Sequence, residues 1–159
     1  MANLQRMTTK RLGEILIHSG LITAEQLEEA IADQQKNGQP LGELLVDRRY
    51  ITERDIAEVV ATQFSLPYLS PEQYYTTSEM ATVISPEVMR KHHIVPLDKL
   101  GKVLILVISG PVDNAVLDEI EKATGCSLQV YVATGSEVDR AIDKLVSDAQ
   151  QKSKPKPAS

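Results

Sequence analysis

The sequence predicts an α+β protein: an all-helical subdomain made from a tandem repeat, followed by a small α/β sandwich of order β-β-α-β-α. Three observations predict it. A segment with helical apolar spacing recurs at an offset of 29 residues, from Arg11 to Pro40. Three short downstream runs are dense in Val, Ile and Leu, and capping residues mark where the helices start and stop.

The repeat aligns RLGEILIHSGLITAEQLEEAIADQ, residues 11–34, with PLGELLVDRRYITERDIAEVVATQ, residues 40–63. Leu12/Leu41, Gly13/Gly42, Glu14/Glu43, Leu16/Leu45, Ile22/Ile51, Thr23/Thr52, Glu29/Glu58 and Gln34/Gln63 are among the identical pairs, and Leu27/Ile56 and Ile31/Val60 exchange one apolar residue for another. Each copy reads as a short helix, a turn and a longer helix. Thr8 or Thr9 can cap a first helix running to about Ser19, which Gly20 ends in the left-handed conformation. Thr23 with Gln26 makes a capping box for the second helix, and Thr52 repeats the cap. Leu27, Ile31 and Gln34 share a face, and Pro40 suits a first helical turn. Ser65-Leu66-Pro67 closes the unit, which spans 8–66.

Gly13 and Gly42 sit in first helical turns, where glycine costs up to about 1 kcal/mol relative to alanine. Two causes fit: close packing of the other repeat's helix, or a ligand approaching exposed N–H groups.

Residues 67–85 read as a linker, although Ser70-Pro71-Glu72 and Ser85-Pro86-Glu87 both resemble helix starts. The α/β subdomain is expected over 86–146. A helix should run from Pro86 to about His92, strands over 94–97, 102–109 and 127–133, and a helix from Asp113 to Ala123 ended by Gly125. Thr134 and Glu137 form another capping box for a last helix to about Val146, and the polar, proline-containing stretch 147–159 reads as a disordered tail.

Lys and Arg total 17 against 22 Asp and Glu, a net charge of −5, so a long polyanion is excluded as partner and no nucleic acid is expected. A small anion held by one arginine or a helix N-terminus is compatible with that charge. The single cysteine, Cys126, excludes a disulfide framework and a cysteine-built zinc site. With no apolar leader and no membrane-length apolar run, a cytoplasmic protein without membrane insertion is expected.

No catalytic set emerges. There is no G-x-S-x-G, and Gly101-Lys102 lacks both the upstream glycine and the following Ser/Thr of a phosphate loop, so it reads as a hairpin turn. His92-His93 end a helix, where positive charge suits the dipole, and no ligand residue stands at metal spacing beside them. Tyr68, Tyr74 and Tyr75 read as packing residues. Arg11, at a helix start before Gly13, can hold a phosphate or a guanine edge, and Gln34 offers an amide; residue type alone makes both a solvated surface pair.

The doubled pattern RLGxx(L)(I)xxG(L)(I)xxxxLxxx(L)xxQ, its second copy after the spacer Gln35 to Gln39, and the α/β part that follows resemble the MshEN domain. That is the N-terminal domain of type II secretion and type IV pilus assembly ATPases, and the resemblance covers residues 8–146. It implies a non-enzymatic regulatory module without the ATPase domain, which takes cyclic di-GMP as regulatory ligand and acts as an adaptor to a secretion or pilus assembly protein. It also implies a ligand site of Arg11, Leu12, Gly13, Leu16, Leu27, Ile31 and Gln34 from the first copy. Leu41, Gly42, Leu45, Ile56, Val60 and Gln63 come from the second. Asp113 stands nearest to where the family carries an Asp-Pro aspartate, here replaced by Gly110-Pro111. The chain departs from the pattern also at Pro40, in place of the second arginine, and at Arg49, in place of a glycine. No cofactor or metal is implied. A ligand-independent interaction domain is the alternative.

Overall fold

The computed structural model of the protein describes residues 11–39, 41–74, 76 and 79–153, with the backbone alone for residue 11 and residues 149–153. The first repeat forms α1 (Arg11–His18) and α2 (Ala24–Asn37), the second α3 (Leu41–Asp47) and α4 (Glu53–Gln63). Both long helices open on capping boxes: Thr23 with Gln26, and Thr52 with Asp55. Pro40, Thr8 and Thr9 lie outside the described residues.

The two copies turn identically. Gly20 takes φ 77° and Arg49, its counterpart, takes φ 63°. Leu21 N–H donates to the Leu16 carbonyl at 3.1 Å, and Tyr50 N–H to that of Leu45 at the same distance. A left-handed glycine conformation therefore persists where the glycine itself is gone.

The downstream part holds α6 (Pro86–His92), β1 (Ile94–Leu100), β2 (Val103–Ile108), α7 (Asn114–Thr124), β3 (Ser127–Val132) and α8 (Gly135–Ser153). The β-β-α-β-α order matches the expectation. The sheet order is β1-β2-β3, the first pair antiparallel and the second parallel, with α7 as crossover. Pro96, which cannot donate to a ladder, sits on edge strand β1 beside a register shift between Pro96 and Asp98. Leu104, Leu106 and Ile108 on β2 are fully buried, in one core with Leu16, Leu45 and Val60 of the repeats and Met89 and Ile142 of the helices.

Two expectations need correction. Residues 67–85 are more than a linker. Tyr68 bridges to Val132, Leu69 N–H donates to the Val132 carbonyl at 2.9 Å, a 3-10 turn spans Pro71–Gln73 and α5 spans Met80–Val83. Pro71, Met80 and Ile84 are buried, apolar anchors too isolated to show a period in the sequence. The last helix also runs past Val146 to Ser153, so the tail expected from 147 begins no earlier than 154; residues 154–159 lie outside the described residues. Asp148-Ala149-Gln150-Gln151-Lys152 is polar but made mostly of good helix formers, and polarity is not disorder. Among the described residues no helix is long and apolar enough to cross a membrane.

Candidate functional site

The helical repeats and the α/β part meet around a cavity of about 800 Å³. Leu12 of α1, Ile31 and Gln34 of α2, Leu41 and Gly42 of α3 and Ile56 of α4 line one side. His92 and His93 at the end of α6, Ser109-Gly110-Pro111 after β2, and Gly135 and Asp139 of α8 line the other. Ile31, at 38% exposure, is an uncommonly open large apolar side chain for this protein.

Six of the residues expected at a ligand site thus face one cavity. The others are placed differently. Leu16, Leu45 and Val60 are at 0% exposure in the core and do not line the cavity. Gly13 and Leu27 pack against each other, for a Cβ at Gly13 would come within 2.7 Å of Leu27 Cδ1. Gly13 therefore admits the second helix of its own repeat rather than that of the other. At Gly42 the counterpart contact, Ile56 Cδ1, is an ordinary 3.4 Å, with Leu12 Cδ2 of the first repeat at 3.7 Å. Gln63 is exposed at the end of α4, and it does not line the cavity. Asp113 precedes α7, exposed and outside the lining, although its charge acts on His92. The side chain of Arg11 lies outside the described residues.

The lining is acidic. Glu43, Asp47, Glu53 and Asp139 face it against Lys91 and the two histidines, among the described residues. Asp47 accepts from Gln39 Nε2 at 2.7 Å, and Glu53 from Ser136 Oγ at 2.7 Å, a bond that ties α4 to the start of α8. Burial and the neighbouring Lys91 ammonium push the His92 pKa below its usual value. His93, the left-handed C-cap of α6 at φ 53°, places its ring between two carboxylates. Its Nδ1 is 3.3 Å from Asp139 Oδ1 and its Nε2 is 4.0 Å from Glu43 Oε1. The sequence does not mark these acidic and histidine residues as a site, because Glu43, His93 and Asp139 are far apart along the chain. The adjacent histidines were the one available signal.

Outside that lining, Glu137 joins the segment after the repeats to α8. It accepts from Thr134 Oγ1 at 2.9 Å and from Tyr68 Oη. Burial favours its neutral form, yet hydrogen bonds from Ser70, Tyr68 and Thr134 outweigh that and hold its carboxyl below the usual range. Burial and the same carboxylate push the Tyr68 phenol up to about 12.

The sequence profile of the MshEN domain matches residues 64–152, which takes in the segment that follows the second repeat and the α/β part. Pairwise similarity extends further. The type IV pilus assembly ATPase PilB of Myxococcus xanthus is 28% identical over 138 residues, 87% of this chain and 24% of that protein. PilB of Pseudomonas aeruginosa is 26% identical over 138 residues, with the same coverage of both chains. The chain thus spans 24% of the length of these curated relatives. Among solved structures, the N-terminal domain of XpsE superposes with a TM-score of 0.69 at 27% identity, covering 88% of this chain and 96% of that one. A structure of MshE with cdg superposes with a TM-score of 0.65 at 20% identity, covering 85% and 98%, which is likeness of fold.

Proposed function

Because the chain belongs to the MshEN domain family, we propose that it is a non-enzymatic, cytoplasmic regulatory module that binds cyclic di-GMP in the cavity between its repeats and its α/β part. The observation that carries this reading is the cavity itself. At about 800 Å³ it has the size of a ligand site, and residues from both repeats line it. MshE, which shares the fold, was solved with cdg, that is, with the same dinucleotide. Leu12, Ile31, Leu41 and Ile56 would cover the apolar faces of the bases, and Gln34 would supply an amide at the wall. Arg11, which opens α1, would contribute the charge-assisted bond. A ligand that touches α1–α4 and α8 together would restrict the repeats against the α/β part, and an adaptor to a secretion or pilus assembly protein would act through that restriction.

Isothermal titration with cyclic di-GMP tests the reading. Binding should be accompanied by a raised Tm, since a ligand at one hundred times its Kd adds about 2.7 kcal/mol of stability. Absence of both heat and thermal shift well above micromolar concentration overturns it.

The acidic wall supports a second reading, a ligand-independent interaction domain, since Glu43, Asp47, Glu53 and Asp139 oppose a doubly anionic ligand. On that reading a purified pilus or secretion component binds equally well with and without the nucleotide.

A further inference from the structure

We propose that Glu43, His93 and Asp139 form a site for one divalent transition-metal ion of the zinc class, at the seam between the second repeat and the α/β part. The three come from separate elements, α3, the end of α6, and α8, and one ligand atom of each lies within 4.8 Å of the other two. An imidazole nitrogen with two carboxylate oxygens is a ligand set that zinc, cobalt and nickel accept. Around a metal at ~2.0–2.2 Å from each ligand, donor atoms stand ~3.3 Å apart, so from separations of up to 4.8 Å the carboxylates must close by up to ~1.5 Å. They can. The side chains of Glu43 and Asp139 are 48% and 51% exposed and free to change rotamer, whereas that of His93, at 28%, is the better held of the three.

The surroundings favour a cation independently of that geometry. Asp47 and Glu53 add two more carboxylates to the same wall, against Lys91 among the described residues. A divalent ion there relieves repulsion between acids that the fold brings together from distant parts of the chain. Three protein ligands leave coordination positions open toward the cavity, as in a site that can accept water or an anionic group. The ion would also link the second repeat to α6 and α8, a junction otherwise tied by the Ser136–Glu53 bond and by apolar packing.

The test uses the untagged full chain, stripped with chelator and free of nucleotide, so that its failure leaves the cyclic di-GMP reading standing. Cobalt is titrated and followed by its visible absorption; zinc is titrated by calorimetry. The expected result is saturable one-to-one binding, displacement of cobalt by zinc, and a zinc-dependent rise in Tm. His93→Ala should abolish all three, and Glu43→Gln and Asp139→Asn should each weaken binding at least tenfold, while His18→Ala leaves it unchanged. The metal-free Tm of each variant reports that it is folded. No saturable binding below millimolar metal, or wild-type affinity in folded His93→Ala, overturns the proposal.

Discussion

Gly13 lies directly beneath Leu27: a Cβ there would fall 2.7 Å from Leu27 Cδ1 and 2.9 Å from Cδ2. The same place in the second repeat is looser, for a Cβ at Gly42 would stand 3.4 Å from Ile56 Cδ1. Two copies of one motif thus have different tolerance for a methyl group. Gly42→Ala should gain most of the ~1 kcal/mol helix-propensity difference and raise the urea midpoint. Gly13→Ala should gain nothing or lose stability, because Leu27 must move. Combining Gly13→Ala with Leu27→Ala should restore the propensity gain, as a double-mutant cycle would read. Equal stabilisation by both single changes would refute the asymmetry.

Arg49 holds φ 63° where its repeat counterpart is glycine. A non-glycine residue in that region costs ~1 kcal/mol, so Arg49→Gly should stabilise the protein by up to about that amount, offset in part by the entropy of an added glycine. A Tm increase of ~1–4 °C is expected for a domain of this size. Gly20→Ala should lower Tm, since φ 77° is as unfavourable for alanine there.

Gln34 and Gln63 are equivalent in the repeat but not in space, since Gln34 lines the cavity and Gln63 does not. Gln34→Ala should weaken cyclic di-GMP binding by up to about tenfold, the value of one hydrogen bond. Gln63→Ala should leave the Kd within about twofold. Arg11→Ala should cost ~1.5–3 kcal/mol of affinity, as for a charged hydrogen bond. If Gln63→Ala is the more damaging change in calorimetry, the ligand lies elsewhere.

Glu137 titrates below its ordinary 4.5 in the folded protein, because its hydrogen bonds outweigh the effect of burial. A carboxyl with a lowered folded pKa binds its proton more readily when unfolded. Its stabilisation is therefore present above pH 4.5 and is lost as pH falls through the folded value. Urea unfolding of wild type and Glu137→Gln should differ by a constant amount from pH 7 to about pH 5, and converge below 4.5. A gap that widens on acidification would contradict the assignment.

Much of the fold could be read from local signals. Thr23, Thr52, Ser85 and Thr134 cap helices through bonds to nearby N–H groups, and Gly20 and Gly125 take positive φ, all within a few residues of the side chain responsible. The strands showed as apolar runs because the sheet is buried, as Leu104 to Ile108 show. The segment 67–85 reads as a linker because Pro71, Met80 and Ile84 are single anchors without a period. The candidate site divides in the same way. Leu16 and Leu45 carry the repeat pattern as strongly as Leu12 and Leu41, yet the first pair is fully buried away from the cavity and the second pair lines it.

By itself, then, the sequence determined the duplication, most helix starts, the β-β-α-β-α order of elements along the chain and the family resemblance. Those depend on interactions between residues close in the chain, or on patterns that local periodicity reveals. Only the tertiary structure decided which repeat residues face the cavity, why Gly13 is more tightly packed than Gly42, and that Glu43, His93 and Asp139 meet. The physical reason is that burial and convergence depend on how helices pack around a shared core, and a one-dimensional period names a face without naming what that face meets.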